Sequence, residues 1–400
     1  MSAGPRLTVL VAPDSFKGSL PADQVAAAVR SGLRTAATTA GVTLDVLLRP
    51  VADGGEGTVA MVLAAGWRPV EVAVSGPTGE PVRATFALSP VGTSPLTAVV
   101  ELAAASGLGL LPGGRPDPLR ASTHGTGQLV AAALDSGVER LVLAIGGSAT
   151  TDGGSGLATA LGARFLDRAG AELPLGGGAL IHLDRVDVSG LDPRLRDVDV
   201  VVASDVDNPL TGRRGAAHVY APQKGASPED VAVLDAGLVR LAEVLRRDLG
   251  VDVAEAAGAG AAGGVGAGAL AFLGAHVTPG IDLLLDLVGF DDALAGSDLV
   301  VTGEGSVDAQ TLSGKAPVGV ARRARAAGVP VLLLAGRVDL DDTSRAAFRD
   351  LGVVGVHALL DIEPDAAVAQ RDAARLLPDL AARAFHVLHL PARTTTRSPA

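Results

Sequence analysis

Short apolar runs recur along the chain, and most of them close on a segment rich in Gly and Asp. Leu7 to Ala12 reads as a strand that enters Pro13–Gly18. Helical spacing follows: Val25, Val29 and Leu33 fall on one face, with Ser19 as the expected N-cap and Pro21 in the first turn. Leu44 to Leu48 reads as a second strand that ends in Pro50–Gly57, with a helix starting near Thr58. The far end repeats the rhythm. Asp298 to Thr302 enters Gly303–Asp308, Pro330 to Ala335 enters Gly336-Arg337, and Gly352 to Leu360 is the expected last strand. In the middle, Arg140 to Ile145 leads into Gly146–Gly154, and Val198 to Ala203 leads into Ser204–Leu210. Alternating strand and helix predicts an α/β fold on mostly parallel sheets.

Two turn-rich segments, Ser75–Gly79 and Thr278–Gly280, are the candidate boundaries. They predict a discontinuous first domain, 1–75 plus 284–390, with a second α/β domain, 76–283, inserted between its halves. Residues 391–400 carry no apolar pattern and are expected to be disordered.

The 400 residues suffice for two domains, and the formal charge of −11 argues against a general nucleic-acid binder. With no cysteine, thiolate nucleophiles, disulfides, Fe–S clusters and cysteine zinc sites are excluded. No targeting segment is evident, and the uncharged stretch Ala256–Ala275 is Gly and Ala with few bulky residues, unlike a membrane span. A cytoplasmic protein is expected. The basic residues are nearly all Arg. Lysine occurs only at Lys17, Lys224 and Lys315, each beside a Gly, where a compact ammonium suits close approach to an anion.

Five loops combine glycines with carboxylates, hydroxyls or Lys: Asp14–Gly18, Asp53–Gly57, Gly146–Gly154, Ser204–Leu210 and Gly303–Asp308. In open α/β sheets ligands bind beyond the carboxyl ends of strands. Backbone N–H groups at Gly donate to anions, carboxylates suit Mg²⁺, and Lys adds charge for a transferring phosphoryl group. The set reads as phosphate chemistry on an oxyanion or polyol substrate. Two motifs fail on context. Gly258–Gly263 matches GxGxxG but follows an acidic segment rather than a strand, and Gly314-Lys315 lacks the rest of a P-loop. His124-Gly125-Thr126-Gly127 precedes a helix and reads equally as a phosphate cap or as a plain N-cap at Thr126. The seven histidines show no metal-ligand spacing, and no GxSxG elbow is present.

Together APDSFKGSL, ADGGEGT, HGTG, GGSATTDGG, NPL.G..GAA, PQKGA, GAGAAGG and TGEG..D.QT..GK.P.GVA resemble the type 1 glycerate kinases, in order from Leu7 to past Arg337. The resemblance implies transfer of the γ-phosphoryl of ATP to D-glycerate with Mg²⁺, giving 2-phosphoglycerate. It also implies two α/β domains, one of them flavodoxin-like and discontinuous. The chain departs from the family pattern at Thr151, Asp207 and Ser306, where Asn, Thr or Asn, and Arg are frequent.

Phosphoryl transfer asks a protein to position, neutralise and exclude water. On that basis Lys17 is expected to hold the transferring phosphoryl or the glycerate carboxylate, and Asp205 to act as base. Asp14, Ser15 and Asn208 are expected to bind the other glycerate oxygens. Gly146, Gly147, Ser148, Thr150 and Gly153 would cradle nucleotide phosphates, with Lys315 assisting. Asp53, Glu56, Asp152 and Glu304 are the candidate Mg²⁺ contacts. A kinase for a related hydroxy acid, or a binding or sensor protein on the same fold, are the alternatives.

Overall fold

In the computed structural model, residues 5–388 are described. The expectation for 391–400 lies outside them. The chain divides into two units, one formed by residues up to Asp53 together with those from Ile281 onward, the other by Gly54–Gly280.

In the first unit β1 (Arg6–Pro13) and β2 (Thr43–Leu48) flank the helix Ala22–Ala40. The chain then builds the second unit from β3 (Arg68–Ser75), β4 (Pro81–Leu88), β5 (Thr97–Glu101) and β6 (Arg140–Ala144), then β7 (Arg164–Leu166), β8 (Arg185–Asp187), β9 (Asp199–Ala203) and β10 (His276–Thr278). It returns to the first unit for β11 (Leu299–Val307), β12 (Val331–Val338) and β13 (Val353–Ala358).

The first sheet runs β13-β12-β11-β1-β2, parallel throughout. Counting only its own strands, this is the 2-1-3-4-5 order of flavodoxin-like folds, with the order reversing between β1 and β11. Leu7, Val9, Val11, Leu299, Val301, Leu332 and Leu334 form a core with the helices Ala22–Ala40 and Ala373–Val387. The alternating residues Leu10, Val300 and Leu333 are equally buried, as a sheet covered on both faces requires. Each such side chain is worth about 1.5–3 kcal/mol of apolar burial. The two helices approach so closely at Gly32 that a Cβ there would stand 2.0 Å from the Pro378 carbonyl oxygen.

The second unit has a mixed sheet, β10-β9-β6-β5-β4-β3, parallel from β10 to β5 and antiparallel across β4 and β3. Phe86, Leu129, Leu141, Leu143 and Leu157 centre its core. A second cluster joins the helix Pro228–Leu249 to the β7–β8 hairpin.

Two local expectations are corrected. Ser75–Gly79 is not a domain boundary but the turn of the β3–β4 hairpin, closed by Gly76 N–H on the Glu80 carbonyl at 2.6 Å, so residues 54–75 belong with the second unit. A tight Gly- and Pro-rich turn has the same composition in either setting. Ser19 does not cap the first helix, which begins after Pro21. Its hydroxyl donates to the Gln370 carbonyl at 2.6 Å. Within Ala256–Ala275 the structure forms only the helical segment Ala261–Phe272, and among the described residues no helix is long and apolar enough to cross a membrane.

Candidate active site

β1 ends at Pro13, and Asp14 N–H donates to the Gly303 carbonyl at 2.8 Å, tying the loop after β1 to β11 at the point where strand order reverses. Phe16 is buried in the core and its backbone pairs with Leu20, so Lys17 projects outward from a short pinned loop. Gln370 clasps the same loop by donating to the Gly18 carbonyl at 3.0 Å. Glycine permits the packing beneath: a Cβ at Gly305 would stand 3.2 Å from Lys17 N, and one at Gly336 2.5 Å from the Gly305 carbonyl oxygen.

A pocket of about 390 Å³ opens here, lined among others by Asp14, Lys17, Asp53, Glu304, Lys315 and Arg337. Carboxyl ends of strands at a reversal of order are where ligands bind in this class of sheet. Asp14 is 7% exposed. Burial, helped by the charges of Asp53 and Glu304, pushes its carboxyl up to about 7, against Ser15 N–H at 2.6 Å and the Lys17 ammonium. Glu304 is raised as well, chiefly by burial and further by Asp53 and Asp308. Thr311 Oγ1 donates to it at 2.5 Å and Lys315 Nζ lies 3.6 Å away. Asp308 caps the turn that carries Thr311, so β11, the turn and Lys315 form one support for the Glu304 carboxylate.

The loops of the second unit are differently used. Asp152 is fully buried and accepts from Thr123 N–H at 2.8 Å, Thr123 Oγ1 at 2.9 Å, and the N–H groups of Gly154 and Gly156. Ser148 Oγ lies 3.0 Å from Thr150 Oγ1 and accepts from Lys224 Nζ at 3.2 Å. Lys224 also donates to the Thr150 carbonyl at 2.6 Å, and burial lowers its ammonium to about 7. Gly153 N–H goes to the Gly263 carbonyl at 3.1 Å, and Gly146 N–H to the Gly54 carbonyl at 3.2 Å.

The glycerate kinase family model matches residues 9–389. The chain is 48% identical over 361 residues to glycerate kinase of Bacillus subtilis (strain 168), covering 90% of this chain and 91% of that one. It is 44% identical over 354 residues to glycerate 2-kinase of Escherichia coli (strain K12), covering 88% and 89%. A crystal structure assigned as glycerate kinase 2 from Salmonella typhimurium LT2 is similar at a TM-score of 0.75 and 42% identity, covering 96% of this chain and all of that one. This chain belongs to the glycerate kinase family.

In this glycerate kinase family member, Asp14, Ser15, Lys17, Asp53, Glu304 and Lys315 line one pocket. Lys315, expected to assist in binding nucleotide phosphates, stands with Glu304 in the first unit. The other expected residues lie in the second unit. Asp205 is exposed and accepts from Gly280 N–H at 3.0 Å. The Asn208 amide bridges the Arg214 carbonyl and the Tyr220 hydroxyl, each at 2.7 Å, and so orders its own loop.

Several of the expected residues are buried in the second unit. Asp152, expected as a metal contact, is turned inward, and its oxygens cap internal N–H groups and a hydroxyl. Ser148 and Thr150, expected to face a phosphate, are both buried, with their hydroxyls bonded to each other within the loop. The backbone donors of Gly146 and Gly153 are spent inside the unit. Only Gly147 of that loop is exposed, with Glu56 exposed as well. Lys224 is buried and donates to the Thr150 carbonyl. Thr126 is not an N-cap: it lies within the helix His124–Asp135, and its hydroxyl donates to Ser106 Oγ at 2.8 Å. The Gly258–Gly263 segment serves close packing: a Cβ at Gly263 would meet the Thr150 carbonyl oxygen at 2.0 Å.

Sequence reading missed Thr311, Gln370 and Arg337. Thr311 had a local signal, since Asp308 three residues earlier is a capping pattern. Arg337 followed an expected strand, but its pairing with Ser306 is set by strand register. Glu101, buried and accepting from Gly57 and Val59 N–H at 3.1 Å each, fixes the Asp53–Gly57 loop on its second-unit side and carried no local signal.

Proposed function

We propose that the protein is an ATP-dependent glycerate kinase that phosphorylates D-glycerate to 2-phosphoglycerate. The pocket at the reversal of strand order carries this reading: three carboxylates and two lysines converge there on rigid strand ends. In the reaction the glycerate 2-hydroxyl oxygen bonds to the γ-phosphorus, the bond from that phosphorus to the β,γ-bridging oxygen breaks, and ADP leaves.

Asp14 takes the hydroxyl proton. It is buried in the pocket beside Lys17, with its carboxyl raised to about 7, near the pKa that suits a base at neutral pH. This replaces the role expected for Asp205. Lys17 and Lys315 offset charge on the transferring group. Ser15 lines the pocket and orients the glycerate oxygens.

Among the described residues no three His, Asp or Glu side chains form a cage for a metal. Asp53 and Glu304 nevertheless fit Mg²⁺, which takes one or two carboxylates and completes its shell with water and phosphate oxygens. Their mutual repulsion is part of what raises Glu304. When bound, Mg²⁺ neutralises phosphate oxygens of ATP. The use of ATP as donor supports a cytoplasmic location.

Purified protein with Mg-ATP and D-glycerate should release ADP, and phosphorus NMR should show the 2-phosphate ester. No ADP above background would refute the reading. Faster turnover of another hydroxy acid would reassign the substrate.

A further inference from the structure

Ser306 and Arg337 are register partners across the parallel strands β11 and β12, and both line the pocket. Arg337 Nε donates to Ser306 Oγ at 2.8 Å. That bond uses the inner edge of the guanidinium and fixes its plane, leaving the Nη groups to act together. Among the described residues no carboxylate forms an ion pair with Arg337, whereas Lys315 faces Glu304 at 3.6 Å. The Lys17 charge opposes the rise of the Asp14 carboxyl. Arg337 is thus the pocket cation with no anionic partner of its own, and it is exposed.

A planar fork of N–H donors matches a planar carboxylate with two parallel hydrogen bonds, which an ammonium cannot reproduce. We infer that Arg337, braced by Ser306, binds the carboxylate of the hydroxy-acid substrate and selects acids over neutral polyols. This rests on the glycerate kinase reading above. An oxyanion of ATP has the same chemistry, so the two sources must be separated by which substrate loses affinity.

The test is steady-state kinetics on Arg337→Met, with both substrates varied. Loss of a charge-assisted pair predicts a rise in KM for D-glycerate of roughly 10- to 100-fold, with KM for ATP changed less than about twofold. Arg337→Lys should recover part of the loss. Ser306→Ala, which keeps the charge but frees its Nε, should have a smaller effect than Arg337→Met. The double variant Ser306→Arg/Arg337→Ser returns a guanidinium to the same register pair from the other strand and should restore KM toward the parent value. A structural role predicts no such rescue, and the exposed side chain predicts an unchanged Tm. An unaltered KM for D-glycerate in Arg337→Met overturns the inference, and so does a rise confined to ATP. If Arg337→Met fails to fold, Arg337→Lys and the double variant give the same reading. Absent activity in the parent enzyme would instead sink the kinase reading itself.

Discussion

Lys224 Nζ lies 2.6 Å from the carbonyl oxygen of Thr150, sealed inside the second unit with 3% of its surface exposed. The ammonium is the clamp of the Gly146–Gly154 loop, and Ser148 Oγ takes its second bond at 3.2 Å. The bond joins residues 74 apart in sequence and holds a loop whose glycines give it no stiffness of their own.

Burial lowers the Lys224 ammonium from its ordinary range to about 7. In the unfolded chain it titrates near 10.5. Between those values the unfolded state binds more protons than the folded one, so stability from this group rises with pH across the window. Lys224→Met removes the titration. The Tm difference, parent minus variant, should therefore grow more positive from pH 7 to pH 9.5. Thermal scans at three pH values decide it, and parallel curves would show that Lys224 is not desolvated.

Asp14 titrates with the opposite consequence. Its folded pKa of about 7 stands above the model-peptide value of 3.8, so the folded state holds the extra proton between them. Stability from this carboxyl is intact at low pH and is lost as pH rises toward and through 7. Asp14→Asn, measured with a chelator so that no metal offsets the charge, should raise Tm at pH 8 and show a shrinking gain toward pH 5. The same variant should lose at least about 100-fold in kcat if Asp14 is the base. A variant that gains no stability at pH 8 contradicts the burial argument. One that keeps kcat removes Asp14 from proton transfer.

Thr311 tests the support of Glu304. Its hydroxyl donates to Glu304 at 2.5 Å and accepts from Asp308 N–H at 3.1 Å, both in buried or half-buried surroundings. Thr311→Val keeps the shape and removes both bonds. It should cost about 1–3 kcal/mol in stability. It should also raise the Mg²⁺ concentration needed for half-maximal activity, because Glu304 loses the donor that favours its ionised form. Unchanged unfolding in urea together with unchanged Mg²⁺ dependence would remove Thr311 from the site.

What could be read from the sequence divides along physical lines. The strand ends carrying Asp14, Lys17 and Glu304 were legible because an apolar run closing on glycines and a carboxylate is a local pattern. Their convergence followed from parallel topology. Ser75–Gly79 misled because a hairpin turn and a domain boundary use the same residues. The Gly146–Gly154 loop looked like a phosphate cradle for a similar reason. Gly, Ser and Asp suit both an exposed nest and a buried crossing, and only the third dimension shows Lys224 and the Ala262 carbonyl filling it. Arg337 against Ser306 is a matter of strand register, which hydrophobic patterning along either strand does not reveal.

The last prediction sets lysine against arginine at position 17. Lys17 is exposed, in a loop held by buried Phe16 on one side and by Gln370 on the other. Its backbone is fixed and its ammonium is free to reach into the pocket. Lys17→Arg keeps the charge but extends it into a wider planar group with different hydration. A displacement of about 1 Å from the transferring phosphoryl can cost about 100-fold in rate. Because the contact strengthens as charge develops in the transition state, the loss should fall on kcat more than on KM for either substrate. The exposed side chain contributes nothing to the core, so Tm should stay within a degree or so of the parent. Measuring kcat, both KM values and Tm on one preparation separates the cases. An unchanged kcat would show that Lys17 is merely solvated, and a fall in Tm would show that it supports the loop. A selective loss of kcat would identify the residue that meets the phosphoryl group in flight.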